Sequence, residues 1–187
     1  MKKLFFLCSA VLLFCGCRNQ DTYPDVPALE FKSMLFGNDG GAKTFTITAT
    51  FTDGDGDIGY YQDRPNDPIF DDSTSQYYYN FVLQLQVYSN GNWNDTTISY
   101  VDINYNSDTT EADNDTTITL YNNLISSRLP YLTQDGQNKG LKGDIDKTAY
   151  LPFLPAGDTI RFRGFIYDRA LHKSNVIYTP GYFIQNP

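Results

Sequence analysis

Between Thr44 and Phe51 the chain alternates without a break, with Thr44, Thr46, Thr48 and Thr50 on one side and Phe45, Ile47, Ala49 and Phe51 on the other. A period of two marks a strand with one buried and one wet face. Tyr79, Phe81, Leu83, Leu85 and Val87 repeat the pattern, and after Asn90-Gly91 a second run follows through Trp93, Ile98, Tyr100 and Ile103. Asn-Gly suits the positive φ angles of a type I′ turn, so these two runs are expected to form a hairpin. Further strands are expected at 116–121, 141–147, 158–168 and 174–184, separated by turn-rich stretches such as 62–76 and 133–140. No long apolar repeat at helical spacing occurs.

Seven or more strands punctuated by turns predict an all-β fold, an immunoglobulin-like antiparallel β-sandwich in which 106–115 and 122–140 are loop insertions. The alternative is a jelly roll or a lipocalin-like β-barrel, which calls for more even strand spacing. Fifteen Tyr and 13 Phe reinforce the strand reading.

The first residues, MKKLFFLCSAVLLFCGC, depart from this pattern: Lys2 and Lys3 precede an apolar run from Leu4 to Phe14 that ends in small residues. That is the layout of an export signal, and eleven apolar residues fall short of the ~20 needed to span a bilayer. Phe14-Cys15-Gly16-Cys17 resembles the lipobox of bacterial lipoproteins, which implies cleavage before Cys17 and attachment of lipid to its thiol. The expected organisation is then a signal peptide at 1–16, a lipidated cysteine and tether at 17–28, and one β-sandwich domain at 29–187. The expected location is the bacterial cell envelope, with membrane contact through the lipid and the outer membrane favoured.

All three cysteines lie in this leader, so the domain is expected to contain neither a disulfide nor a thiol nucleophile. Cleavage would remove two of the 14 basic residues and none of the 22 acidic ones, leaving the chain more acidic than its whole-sequence charge of −8. An acidic chain without a basic stripe argues against nucleic acid as a partner.

Asp53-Gly54-Asp55-Gly56-Asp57-Ile58-Gly59 follows directly on the strand that ends at Phe51-Thr52. Carboxylates at alternate positions of a glycine-loosened loop can converge on one hard cation, and Ca²⁺ suits oxygen ligands of this kind. The run resembles the first half of an EF-hand loop, but Ile58 stands at the sixth position, where that loop needs glycine, and Arg64 at the twelfth, where it needs glutamate. An EF-hand is therefore excluded. A metal-free turn is the competing reading, opposed by the repulsion of close carboxylates, roughly 1 kcal/mol per pair even in water.

Near the other end, Ile166-Tyr167-Asp168-Arg169-Ala170-Leu171-His172-Lys173-Ser174-Asn175 resembles the Asp-x-Ala-Gly-Asn-x-Ser turn that precedes the last strand of many bacterial immunoglobulin-like modules. Leu171-His172 replaces Gly-Asn. If 43–52 is strand B and 158–168 and 174–184 are strands F and G, both motifs lie at one pole of the sandwich. Asp168 is then the expected fourth metal ligand, with Asn175, Asp63, Asp67, Asp71 and Asp72 as further candidates. The competing role for Asp168 is a turn hydrogen bond or ion pair. Calcium at such a site would be structural, held in the ~0.1–1 mM range of extracellular modules. The lipobox, YPDVPALEF, TFTDGDGDIG, the 138–145 segment and IYDRALHKSN together resemble Bacteroidota-type lipoproteins with an immunoglobulin- or cadherin-like domain.

Three Asp-Thr-Thr triplets resemble short acceptors of periplasmic O-glycosylation in that group, which would make Thr96, Thr109 and Thr116 modified residues; hairpin turns explain the triplets equally well. Tyr60, Tyr61 and Trp93 are candidate ligand contacts, able to stack on a sugar ring or fill a partner's pocket. Catalysis finds little support: the single histidine, His172, lies in a basic turn, and no zinc set or phosphate loop is present. The expectation is a non-catalytic envelope lipoprotein, structural or accessory. The alternative is a carbohydrate- or protein-binding surface lipoprotein, and a glycoside-hydrolase-like enzyme stands last.

Overall fold

The computed structural model describes residues 22–39, 42–63, 66–96, 98–104, 117–123, 125–133, 140–151 and 154–185. Among these residues ten strands follow in order: β1 (Ala28–Asp39), β2 (Ala42–Asp53), β3 (Phe81–Ser89), β4 (Asn92–Asp95), β5 (Ile98–Asn104), β6 (Thr117–Asn123), β7 (Leu141–Leu151), β8 (Thr159–Ile166), β9 (Ile177–Tyr178) and β10 (Tyr182–Phe183). One sheet has the order β1-β2-β7 and the other β10-β8-β3-β4, with β9 also on β8; β5 and β6 form a separate ribbon. All pairings between these strands are antiparallel. Neither sheet closes into a barrel. The fold is the expected all-β sandwich, in the immunoglobulin-like order.

The alternation in β2 produces the core directly. Phe45, Ile47, Ala49 and Phe51 are buried and meet Leu83 and Leu85 of β3 and Ile160, Phe162 and Ile166 of β8. The Phe45 and Phe162 rings lie 5.6 Å apart across the two layers. Each fully buried Phe or Ile contributes about 1.5–3 kcal/mol. The threonines on the opposite side of β2 bond across to β7: Thr50 to Asp144 at 2.7 Å, Thr48 to Asp146 at 2.6 Å, and Thr46 to Thr148 at 2.9 Å. Cross-strand pairs of this kind fix the register of a solvent-facing surface.

Three features differ from the sequence expectation. The domain gains β1, whose burial alternation slips because the register shifts between Phe31 and Ser33. The hairpin at Asn90-Gly91 forms as expected, with φ of 52° and 80°, but only β4 stays on β3; Ile98 to Asn104 leave to pair with β6. The strand expected at 174–184 is two short pieces separated by Thr179–Gly181, where Pro180 has no N–H to give a ladder.

The segment 125–133, expected to lie within an insertion, is built into the domain. Ser127 bridges Phe81, Pro130 bridges Tyr60, and the Asn80 side chain brackets Leu129, accepting from its N–H at 2.5 Å and donating to its carbonyl at 3.0 Å. It runs beside the loop that joins β2 to β3.

Candidate metal centre

Two loops meet at one pole of the sandwich. Ile58, in the β2–β3 loop, forms an antiparallel bridge with Asp168, in the loop that follows β8. Ile58 is fully buried in the main core. The residue that breaks the EF-hand pattern therefore anchors the acidic loop to the hydrophobic interior.

Anchored in this way, Asp53, Asp55 and Asp57 each present a carboxylate oxygen within 4.8 Å of the others. Asp53 is fully buried, and Oδ1 of each of the three carboxylates is buried without a hydrogen-bond partner among the described residues. The other oxygens of Asp53 and Asp57 hold the loop: Asp53 Oδ2 accepts the Ile58 N–H at 3.2 Å, and Asp57 Oδ2 accepts the Ala170 N–H at 2.9 Å. The Asp57 carbonyl accepts the Arg169 N–H at 3.3 Å, and the Gly56 carbonyl accepts the Thr133 hydroxyl at 2.5 Å. Burial, aided by Asp55 and Asp57, pushes the Asp53 carboxyl up to about 7. Burial, with Asp168 and Asp55, pushes Asp57 up to about 6.

Asp168 is fully buried beside this triad. Its Oδ1 accepts the His172 N–H at 2.6 Å, and its Oδ2 lies 2.8 Å from His172 Nδ1. Burial raises its pKa despite the pairing, while the carboxylate raises that of the half-exposed His172. Asp168 therefore joins the negative cluster with both oxygens already engaged in the turn. That turn keeps a glycine-like shape: Leu171, at the glycine position of the motif it resembles, has a φ of 69°.

Of the remaining candidates, Asp67, Asp71, Asp72 and Asn175 are engaged elsewhere. Asp67 pairs with Arg169 at 2.9 Å and Asp71 with Arg128 at 2.6 Å. Asp72 accepts from Thr74. The Asn175 amide brackets Leu29, accepting its N–H at 2.8 Å and donating to its carbonyl at 2.9 Å. Asp63 is exposed.

The aromatic candidates do not converge. Tyr60 carries the Arg128 guanidinium over its ring at 3.9 Å, and Tyr61 carries that of Arg169 at 4.0 Å. Trp93 pairs with Tyr88 seven residues along β3 from Phe81, roughly 23 Å from the acidic pole at about 3.3 Å per residue. Arg161 lies over the Trp93 ring at 4.3 Å and over Tyr178 at 4.4 Å, and its Nε donates to Gln86 at 2.8 Å. Thr96 is half-buried, its N–H bonded to the Leu85 carbonyl. Cys17, Thr109 and Thr116 lie outside the described residues.

The sequence offers Arg169 only as a partner for Asp168, whereas it pairs with Asp67, and it does not single out Arg128; these two guanidinium groups tie the β2–β3 loop to its neighbours. Their only sequence signal was the excess of aspartate and tyrosine in 60–78. No helix among the described residues is long and apolar enough to cross a membrane. No protein-family profile, curated protein or solved structure matches this chain.

Proposed function

We propose that the protein is a non-catalytic lipoprotein module of the bacterial cell envelope whose acidic pole holds a structural calcium ion. The observation that carries this reading is that Asp53, Asp55 and Asp57 each bring a carboxylate oxygen within 4.8 Å of the others and each have a buried Oδ1 with no hydrogen-bond partner among the described residues. A hydrogen-bonded turn has no use for acceptors left empty in this way, because each one forfeits its hydration. Calcium takes six to eight oxygens at about 2.3–2.6 Å, and an ion shared by the three would remove both the repulsion and the missing bonds. Asp168 stands as the fourth ligand, sharing one oxygen between the ion and His172. Main-chain carbonyls and water complete the shell.

The ion's work is to fasten the β2–β3 loop to the loop after β8, which are already joined by the Ile58–Asp168 bridge. The rings of Tyr60, Tyr61 and Trp93, each faced by a guanidinium group, fit a packing role better than an open platform for sugars. Isothermal titration of calcium into the chelator-stripped chain tests the reading. One ion per chain with a dissociation constant in the ~0.1–1 mM range is expected, and the absence of heat at millimolar calcium would overturn it.

A further inference from the structure

The chain that leads into β1 does not leave the domain freely. Tyr23 is half-buried, Pro27 is buried, and the Gly54 N–H, between the first two aspartates of the acidic loop, donates to the Pro24 carbonyl at 2.8 Å. The approach is close enough to demand glycine: a side-chain carbon on residue 54 would lie 2.2 Å from the Tyr23 carbonyl oxygen and 2.6 Å from the Pro24 carbonyl carbon. A side-chain carbon on residue 140, next to the strand that pairs with Asp53, would lie 3.2 Å from the Tyr23 ring. Beyond this strap, Leu29 is held separately by Asn175. Within the segment 23–27 the acidic loop supplies the main-chain hydrogen bond to Pro24, while the sheet ladder begins at Ala28.

We infer that the acidic loop is a cation-controlled seat for the chain's own N-terminal strap, so that ion binding sets whether residues 23–27 are docked on the domain or free. The inference rests on the calcium reading above and adds what the ion controls. Gly54 sits between two ligands, so drawing the Asp53 and Asp55 carboxylates onto one ion fixes the direction of its N–H. Without the ion, the carboxylates repel one another through a loop containing three glycines, and the single hydrogen bond to Pro24 loses its fixed donor. Pro24 and Pro27 stiffen the strap, so it docks or departs as a unit. Its release changes the direction and reach of whatever precedes residue 22, while β1 stays in place because Asn175 and the β2 ladder hold it.

Coupling of this kind is reciprocal: if the ion favours docking, docking favours the ion by the same factor. The test uses the full ¹⁵N-labelled chain in detergent micelles, with calcium affinity measured by calorimetry alongside backbone relaxation at Asp25 and Val26 and amide exchange at Gly54. In calcium, Asp25 and Val26 should be as rigid as β2. In chelator they should move on the ps–ns timescale, and the Gly54 amide should exchange about ten-fold faster. The Tyr23→Gly variant, altered in the strap and not in the ligand set, should bind calcium about five-fold more weakly. Calcium binding with an equally rigid strap in both conditions, or an unchanged affinity in Tyr23→Gly, would overturn the inference and leave the calcium site standing. Failure of calcium to bind would overturn both.

Discussion

Ile58 pairs its backbone with that of Asp168 while its side chain is fully buried in the core. One residue therefore joins the acidic loop to the loop after β8 and to the hydrophobic interior at once. The acidic pole is an extension of the core and not a loose surface feature.

Shortening that side chain should therefore loosen both. Ile58→Ala is expected to cost about 3 kcal/mol in urea unfolding, within the usual range for a buried aliphatic truncation. The corresponding fall in melting temperature is about 6–12 °C for a domain of this size. A loss below about 1 kcal/mol would show that the loop is not anchored there.

The acidic pole also sets a pH dependence. A carboxyl whose pKa is raised by folding holds its proton more tightly in the folded state, so its contribution to stability is full below the unfolded value and is lost as pH rises through the folded one. For Asp57 and Asp53 the loss runs from the ordinary 3.8 up through about 6 and about 7. In chelator, the domain should be more stable near about pH 5 than near about pH 8. Calcium needs the ionised carboxylates, so its stabilising effect should grow over that same interval. Thermal melts across pH, with and without calcium, would show two curves that diverge upward in pH; parallel curves would contradict the account.

At the turn after β8, Leu171 occupies a left-handed conformation, φ 69°, that costs a side-chain-bearing residue roughly 1–2 kcal/mol. Leu171→Gly relieves that cost and adds some unfolded-state entropy. A net gain of about 0.5–1 kcal/mol is expected, read as a rise of about 2 °C in the melting temperature. A destabilised variant would mean that the leucine side chain makes contacts worth more than the strain.

The single tryptophan lies at the far end of β3 from the acidic pole, whereas Tyr60 and Tyr61 are in the acidic loop's own continuation. Terbium substituted for calcium should be sensitised by tyrosine excitation and hardly at all by excitation selective for Trp93. Strong tryptophan sensitisation would place the ion elsewhere.

What the sequence disclosed follows from how local each signal is. The threonine and apolar alternation of β2 and the Asn90-Gly91 turn are set by neighbours a few residues apart and appear in the structure as read; the Asp-Gly run, equally local, forms a loop that brings three carboxylates together. β1 escaped notice because one bulge at Phe31–Ser33 moves its apolar residues from one face to the other. The bracketing of Leu29 by Asn175 spans 146 residues, and that of Leu129 by Asn80 spans 49; no pattern in a single chain marks such pairs. Gly54 read as loop flexibility, although its place is required by the strap that crosses it. Ile58 was noticed only as a missing glycine, and its role as a core anchor emerged from burial.

The central claim is that three buried carboxylate oxygens form a cation site, and the comparison of wild type with Asp55→Asn tests it most directly. Calcium at about ten times its dissociation constant should stabilise the wild-type domain by about 1.4 kcal/mol, raising its melting temperature by about 3–6 °C over the chelator-treated chain. Asp55→Asn should show no such rise. Equal melting temperatures for the wild type in calcium and in chelator, or the same rise in both proteins, would contradict the account.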